Sequence, residues 1–238
     1  MKYSFIIPYY KRDCFFFSLK SFEKYYSSRN DYEIIVVEDI KNRNDPYHHK
    51  LLNDIISRFK LPIKLILNEE FTYNPSVSFN LGVKNSNGEY IILTNPECYH
   101  ESDVLKGFDE EENKEEVYIV CANKSVVAIS YTDKLNYHFR EWFQHSVHCN
   151  RCLHHCACIS EKNYLKINGF DEEYKKGIAF EDDDFVWNIN KHKIPIIQRD
   201  DLITCHIAHN REHIDRQYHL YKLNGNYFNK KWNENKVF

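Results

Sequence analysis

Two kinds of apolar pattern alternate over the first hundred residues. Short continuous runs, "YSFIIP" (3–8), "EIIVVE" (33–38), "IKLIL" (63–67) and "EYIILT" (89–94), are strand-length and rich in β-branched and aromatic residues. They predict strands buried on both faces. Between them, "CFFFSLKSFEKYY" (14–26), "DPYHHKLLNDIISRF" (45–59) and "PSVSFNLGVKNS" (75–86) have helical spacing, and Pro75 suits a first helical position. Strand and helix in this order make βαβ units and a parallel sheet covered on both faces. In such sheets ligands sit at the carboxyl ends of the strands. The positions to inspect are therefore 8–13, 38–39, 68–70 and 95–97.

The second half is less regular. "EVYIVCA" and "KSVVAISYT" predict two strands, 133–158 a loop-rich region, and "SEKNYLKI" a helix. "EDDDFVWNINKHK" predicts a helix whose first turn holds the acids, a placement the helix dipole favours. "IPIIQ" and "LITCHI" predict short strands, and "EHIDRQYHLYKLNGNYFNKKW" (212–232) a terminal helix. No internal repeat and no Gly/Ser/Pro-rich linker divides the 238 residues, so one domain is the economical reading.

Composition narrows the function. The chain is 42% hydrophobic, enough for a sizeable core, and its net charge of -3 comes with no basic block. That argues against nucleic-acid binding through a basic patch. No apolar run has the length of a membrane span, and the N-terminus lacks a small-residue cleavage site. A soluble, cytoplasmic chain is expected, its eight cysteines reduced rather than paired.

The densest chemistry lies in "NGFDEEYKKGIAFEDDDF" (168–185). Taken alone, the four acids Glu181 to Asp184 read as first-turn decoration. Phe180 and Phe185 flank them, however, and Gly177 precedes them, a residue that permits close backbone approach to a ligand. A carboxylate beside other carboxylates and apolar groups has a raised pKa and accepts a hydroxyl proton more readily.

This stretch resembles inverting, nucleotide-sugar-dependent glycosyltransferases of the GT-A fold, both the family 2 group and the β-1,4-galactosyltransferases. The resemblance implies an α/β fold with a Rossmann-like, mixed, mostly parallel sheet. Residues 1–100 would be the nucleotide-binding half and 101–238 the acceptor-binding and catalytic half. Asp182 takes the place of the catalytic base and Glu181 that of an acceptor-binding carboxylate, with Asp183 and Asp184 supporting the helix start. The galactosyltransferase Trp after the Gly is Ile178 here. "FIIPYYKRD" is similar to the family's first strand, which implies Pro8, Tyr9, Arg12 and Asp13 at the nucleotide. "EIIVVED" implies Glu38 or Asp39 at uracil or ribose, and "FNLGVKNSNGEYIIL" carries the Asn-x-Gly of Asn80 and Gly82. The donor implied is a UDP-sugar and the acceptor a hydroxyl of a glycan or another molecule.

Where the family has Asp-x-Asp, this chain has Asn95-Pro96-Glu97. Asn-Pro is also turn chemistry, but Glu97 falls at the metal-binding acid, and its carboxylate suits Mn²⁺ or Mg²⁺. His206 and His209 fall where the galactosyltransferases have a Met and a His that bind metal, and imidazoles serve first-row ions. In "HSVHCNRCLHHCAC" (145–158), Cys149, Cys152, Cys156 and Cys158 with four interleaved histidines form a candidate zinc site. Against zinc stand the poor C-x-C spacing and the lack of a second C-x-x-C. The competing reading is a buried strand with a substrate-facing loop, in which Trp142, Phe143 and His145 stack on an acceptor sugar. The rival functions are a nucleotidyltransferase, which "PYYKRDC" disfavours for want of a Gly, and a zinc-stabilised binding module.

Overall fold

The computed structural model describes residues 1–131, 135–209 and 217–233. Its first half follows the predicted alternation. Strands β1 (Tyr3–Tyr9), β2 (Tyr32–Asp39), β3 (Ile63–Asn68) and β4 (Tyr90–Thr94) are interleaved with helices α1 (Phe15–Tyr26), α2 (Ile40–Arg43), α3 (Pro46–Ile56) and α4 (Ser76–Lys84). The strands pair in parallel, with β1 between β2 and β4 and β3 outside β2. Alternate residues of β1 feed opposite cores. Phe5 and Ile7 pack with Phe15, Leu19 and Phe22 of α1, and Ile6 packs with Phe79 and Val83 of α4. Gly82 lets α4 lie on β1, since a Cβ there would be 2.3 Å from Ile6 Cγ2. Pro75 caps α4 rather than opening it.

The second half completes one mixed sheet of nine strands among the described residues. Its elements are β5 (Cys98–His100), α5 (Val104–Asp109), β6 (Tyr118–Tyr131), β7 (Leu135–Gln144), β8 (Cys156–Ser160), α6 (Glu161–Lys166), a 3₁₀ turn (Glu172–Lys176), α7 (Glu181–Lys191), β9 (Ile196–Ile207) and α8 (Tyr218–Asn233). The order is β3-β2-β1-β4-β8-β6-β9-β5, with β7 added to β6.

Several expectations are corrected here. The two strands predicted within 116–132 are one strand, β6, interrupted by irregular register rather than by a turn. "IPIIQ" and "LITCHI" likewise join as β9 across a register shift. The loop-rich region contains β7, whose residues 138–141 are exposed and whose charged sequence gives no buried alternation to read. Its strand form comes from the ladder to β6. The Asn95-Pro96 turn leads straight into the short strand β5. Of the predicted terminal helix, 217–232 is helical, while 212–216 lies outside the described residues. No helix among the described residues is long and apolar enough to cross a membrane.

Candidate active site

A cleft of about 290 Å³ opens at the carboxyl ends of β1, β2 and β4. β1 delivers Pro8, Tyr9, Tyr10 and Arg12; β2 delivers Asp39 and Lys41; β4 delivers Asn95, Pro96 and Glu97. Antiparallel pairing of Thr94 with Cys156 brings the chain ahead of β8 alongside, adding His154 and His155. The start of α7 adds Glu181 and Asp182, and the segment after β3 adds Thr72 to Pro75.

The acids are held in place from behind. Ala179 and Phe180 both have left-handed backbones, φ 63° and 71°, an unfavourable pair for residues with side chains. Asn224 of α8 secures the bend, its Nδ2 donating to Ala179 O at 2.9 Å and to Tyr174 O at 3.0 Å. Gly177 serves the same contact, because a Cβ there would meet Leu220 O and Asn224 Oδ1 at 2.5 Å. Its close backbone approach is therefore to α8 rather than to a ligand. Asp184 is buried and accepts from Tyr174 Oη (3.1 Å), Trp232 Nε1 (2.7 Å) and Lys231 Nζ (2.9 Å), so it anchors α7 to α8.

Glu181 is buried, and its Oε2 has no hydrogen-bond partner. Burial, with the neighbouring Asp182 and Asp183 charges adding to it, pushes its carboxyl up to about 8. Burial raises Asp182 as well. Asp182 Oδ1 accepts from Asp183 N at 2.9 Å, while Asp183 is exposed.

Across the cleft, Glu97 meets the opposite environment. His206 Nε2 lies 3.3 Å and His209 Nε2 3.4 Å from its Oε1, and Arg12 Nε lies 3.4 Å from its Oε2. Burial alone would raise this carboxyl, but the two imidazoles and Arg12 outweigh it and hold it well below the usual range. One ligand atom from each of Glu97, His206 and His209 lies within 4.8 Å of the others. His206 is the penultimate residue of β9 and His209 follows in the chain leaving it, which converges the two histidines. Phe143 stacks on the His206 ring at 5.4 Å.

Not every expected residue reaches the cleft. Glu38 is fully buried behind it, bonded to Asn42 Nδ2 (2.7 Å), Arg43 Nε (2.7 Å) and His49 Nδ1 (2.8 Å). Asp39, one residue on, faces the cleft and caps α2 through Lys41 N at 2.7 Å. Asn80 holds the Asn168–Phe170 turn, accepting from Phe170 N (3.0 Å) and Tyr164 Oη (2.7 Å). Gly82 packs on β1, and Asp13 is exposed, accepting from Cys14 N.

The cysteine cluster does not assemble. Cys149 Sγ faces Phe143 O at 3.3 Å, Cys152 Sγ faces Gln198 Nε2 at 3.1 Å, and Cys156 and Cys158 are buried in β8. Among the described residues the metal-competent group is Glu97, His206 and His209. Trp142 and His145 pack against each other with tilted rings at 4.4 Å and are not part of the cleft lining. Sequence reasoning marked Tyr10 only as part of 8–13 and missed Lys41 and the 72–75 segment. Lys41 Nζ sits over the Tyr10 ring at 4.9 Å and the Phe71 ring at 5.0 Å, at the cleft mouth.

Comparison with known proteins places the fold. The family model described as Glycosyl transferase family 2 matches residues 4–211. Among solved structures, the chain is similar to S. aureus TarS 1-349 in complex with UDP-GlcNAc, with 16% identity and a TM-score of 0.65, over 90% of this chain and 61% of that one. It is also similar to the mannosyltransferase PcManGT from Pyrobaculum calidifontis in complex with GDP-Man and Mn²⁺, with 11% identity and a TM-score of 0.62, over 89% of this chain and 58% of that one. The chain thus spans less than two thirds of these structures. Among curated proteins none matches it. With the family matched over most of its length and the GT-A architecture present strand by strand, the chain belongs to glycosyl transferase family 2.

Proposed function

We propose that this chain transfers a sugar from a nucleoside-diphosphate sugar, UDP-linked, to a hydroxyl acceptor with inversion at the anomeric carbon. The observation that carries the reading is the cleft in which Asp39, Glu97 and the adjacent pair Glu181 and Asp182 converge from three separate parts of the chain. Tyr10, Asp39 and Lys41 mark the end for the base and ribose, and Asn95, Glu97 and Arg12 the diphosphate. Glu181 and Asp182 mark the reacting sugar. Two adjacent carboxylates in a buried site do not both ionise easily. Glu181, the more buried, keeps the proton near neutral pH, which leaves Asp182 as the carboxylate that removes the acceptor proton.

The residues present fit a divalent ion. Glu97 Oε2 is buried and, apart from its 3.4 Å ion pair with Arg12, has no hydrogen-bond partner, and one carboxylate with two imidazoles suits a first-row metal such as Mn²⁺, with Mg²⁺ the harder alternative. Glu97, His206 and His209 would hold it, and it would supply positive charge beside the departing diphosphate. Arg12 contributes a fixed positive charge at the same place. PcManGT carries Mn²⁺ with GDP-Man, and TarS carries UDP-GlcNAc.

The test is incubation with UDP- and GDP-sugars and simple glycan acceptors, reading nucleotide release and the anomeric configuration of the product by NMR. Transfer from a UDP-sugar with inverted configuration is expected. Retained configuration, or no release from any donor, would refute it.

A further inference from the structure

Glu97 Oε2 is not alone on the cleft wall in lacking a hydrogen-bond partner. His154 is only 5% exposed and its Nδ1 is buried with no hydrogen-bond partner; Glu181 Oε2 is in the same condition. A buried polar atom left unpaired costs about 1–3 kcal/mol. Two in the wall of one cavity point to a ligand that satisfies them.

The setting of His154 says what kind. Phe79 and Phe170 stack on each other at 4.7 Å, and the His154 ring stands edge to face against both, at 4.7 and 5.2 Å, so its orientation is fixed by groups that offer no hydrogen bond. Burial lowers the imidazole to about 3, which keeps it neutral. A neutral imidazole carries one donor and one acceptor. That matches a hydroxyl, which also donates and accepts, and is a poor match for a phosphate, which only accepts. The chain places it between the two chemical ends of the cleft. On one side, the pairing of Thr94 with Cys156 sets it beside Asn95 to Glu97. On the other, Phe170, which the His154 ring touches, stacks at 4.4 Å on Phe185 of α7, the helix that Glu181 opens.

We propose that His154 and Glu181 form a hydroxyl-binding corner that grips the transferred pyranose of the nucleotide sugar and selects its hydroxyl pattern. The assignment rests on the nucleotide-sugar reading of the cleft. It gives a role to one of the histidines of the 145–158 cluster that needs no metal.

The experiment is calorimetric titration of UDP and GDP against their hexose and N-acetylhexosamine conjugates, each sugar compared with its own diphosphate. His154→Phe keeps an aromatic ring against Phe79 and Phe170 and removes both nitrogens. Affinity for the free diphosphate should be unchanged, while the extra affinity conferred by the sugar falls about five- to tenfold, the size of one or two lost hydrogen bonds. His154→Gln, which restores a donor and an acceptor, should recover part of it and serves as the folded control if the Phe variant melts early. If nucleotide-sugar binding is unchanged in His154→Phe, or if diphosphate and conjugate weaken equally, the His154 assignment is overturned and the reading of the cleft stands. If no nucleoside diphosphate binds the wild type, that reading falls and takes this one with it.

Discussion

Glu97 and Glu181 face the same cleft and are almost equally buried, at 6% and 9% exposure, yet their environments push them in opposite directions. Glu97 sits among Arg12, His206 and His209 and stays ionised; Glu181 sits beside two further acids and is pushed towards neutrality. Burial is common to both, so what separates them is the sign of the neighbouring charge. On the proposed reading, one end of the cleft would hold cationic and phosphate chemistry and the other would trade protons. A donor lying across it would have its leaving group at the first end and its reacting carbon at the second.

The proton-trading end is broken most severely at Asp182. Asp182→Asn preserves shape, and the amide oxygen can still accept from Asp183 N. It cannot take a proton. Transfer should fall by about a hundredfold or more, while donor affinity changes little. Substantial transfer by this variant would move the base to Glu181 or elsewhere.

The two ends should also differ in how pH acts on stability. Glu181 is raised from its ordinary 4.5 to about 8, so the folded chain holds a proton that the unfolded chain releases between those values. Its contribution is fully present below pH 4.5 and is lost as pH rises through 8. Glu97 is depressed, so its contribution is present above the ordinary carboxylate range and is lost on acidification. Denaturant unfolding between pH 5 and 8 should show stability falling with pH by on the order of 1 kcal/mol per unit from Glu181. Glu181→Gln should flatten this limb. An unchanged slope in the variant would mean that Glu181 is ionised in the fold.

What the sequence revealed and concealed follows from how local each signal is. β1 to β4 were legible because each is a continuous apolar run closed by turn residues, and the acids because they share one helical turn. Which of Glu38 and Asp39 faces the cleft was not, since neighbouring strand residues point to opposite sides and nothing local says which side is open. β7 was hidden because its central residues are exposed. The role of His154 depends on β8 starting at Cys156, two residues later than "HHCACIS" would place a strand, which leaves both histidines at its mouth. Phe180 and Ala179 carry no sequence mark of their left-handed backbones, which α8 imposes from some forty residues downstream.

The cationic end is tested by removing one ligand at a time. Glu97→Ala and His209→Ala should each weaken UDP binding in Mn²⁺ about tenfold, a typical loss for disturbing a metal's ligand set. Under chelator they should bind UDP as the wild type does. Mn²⁺ should serve better than Ca²⁺, because imidazole nitrogens favour first-row transition ions over hard oxygen-seeking ones. Equal UDP affinity with and without chelator in the wild type would remove the ion from the site and leave Arg12 as the cation facing the diphosphate.

The smallest effect is expected at the second candidate metal site of the sequence, the cysteine and histidine cluster. Cys149 and Cys152 turn to different partners, Phe143 O and Gln198 Nε2, and neither joins a set of converging ligands. A structural zinc would contribute folding energy outright, so its loss would unfold the chain. Without one, Cys149→Ser exchanges a partly exposed thiol for a hydroxyl that can still donate to Phe143 O, and stability should change by less than about 1 kcal/mol. Chelator should likewise leave the circular dichroism of the apoprotein unchanged while abolishing any Mn²⁺-dependent gain in UDP affinity. The two readouts separate the clusters. Unfolding on chelation, with zinc released in proportion to protein, would place a structural ion among the cysteines after all. A folded chain that loses only its metal-linked nucleotide binding would put the metal chemistry at Glu97, His206 and His209, opposite the acids it complements.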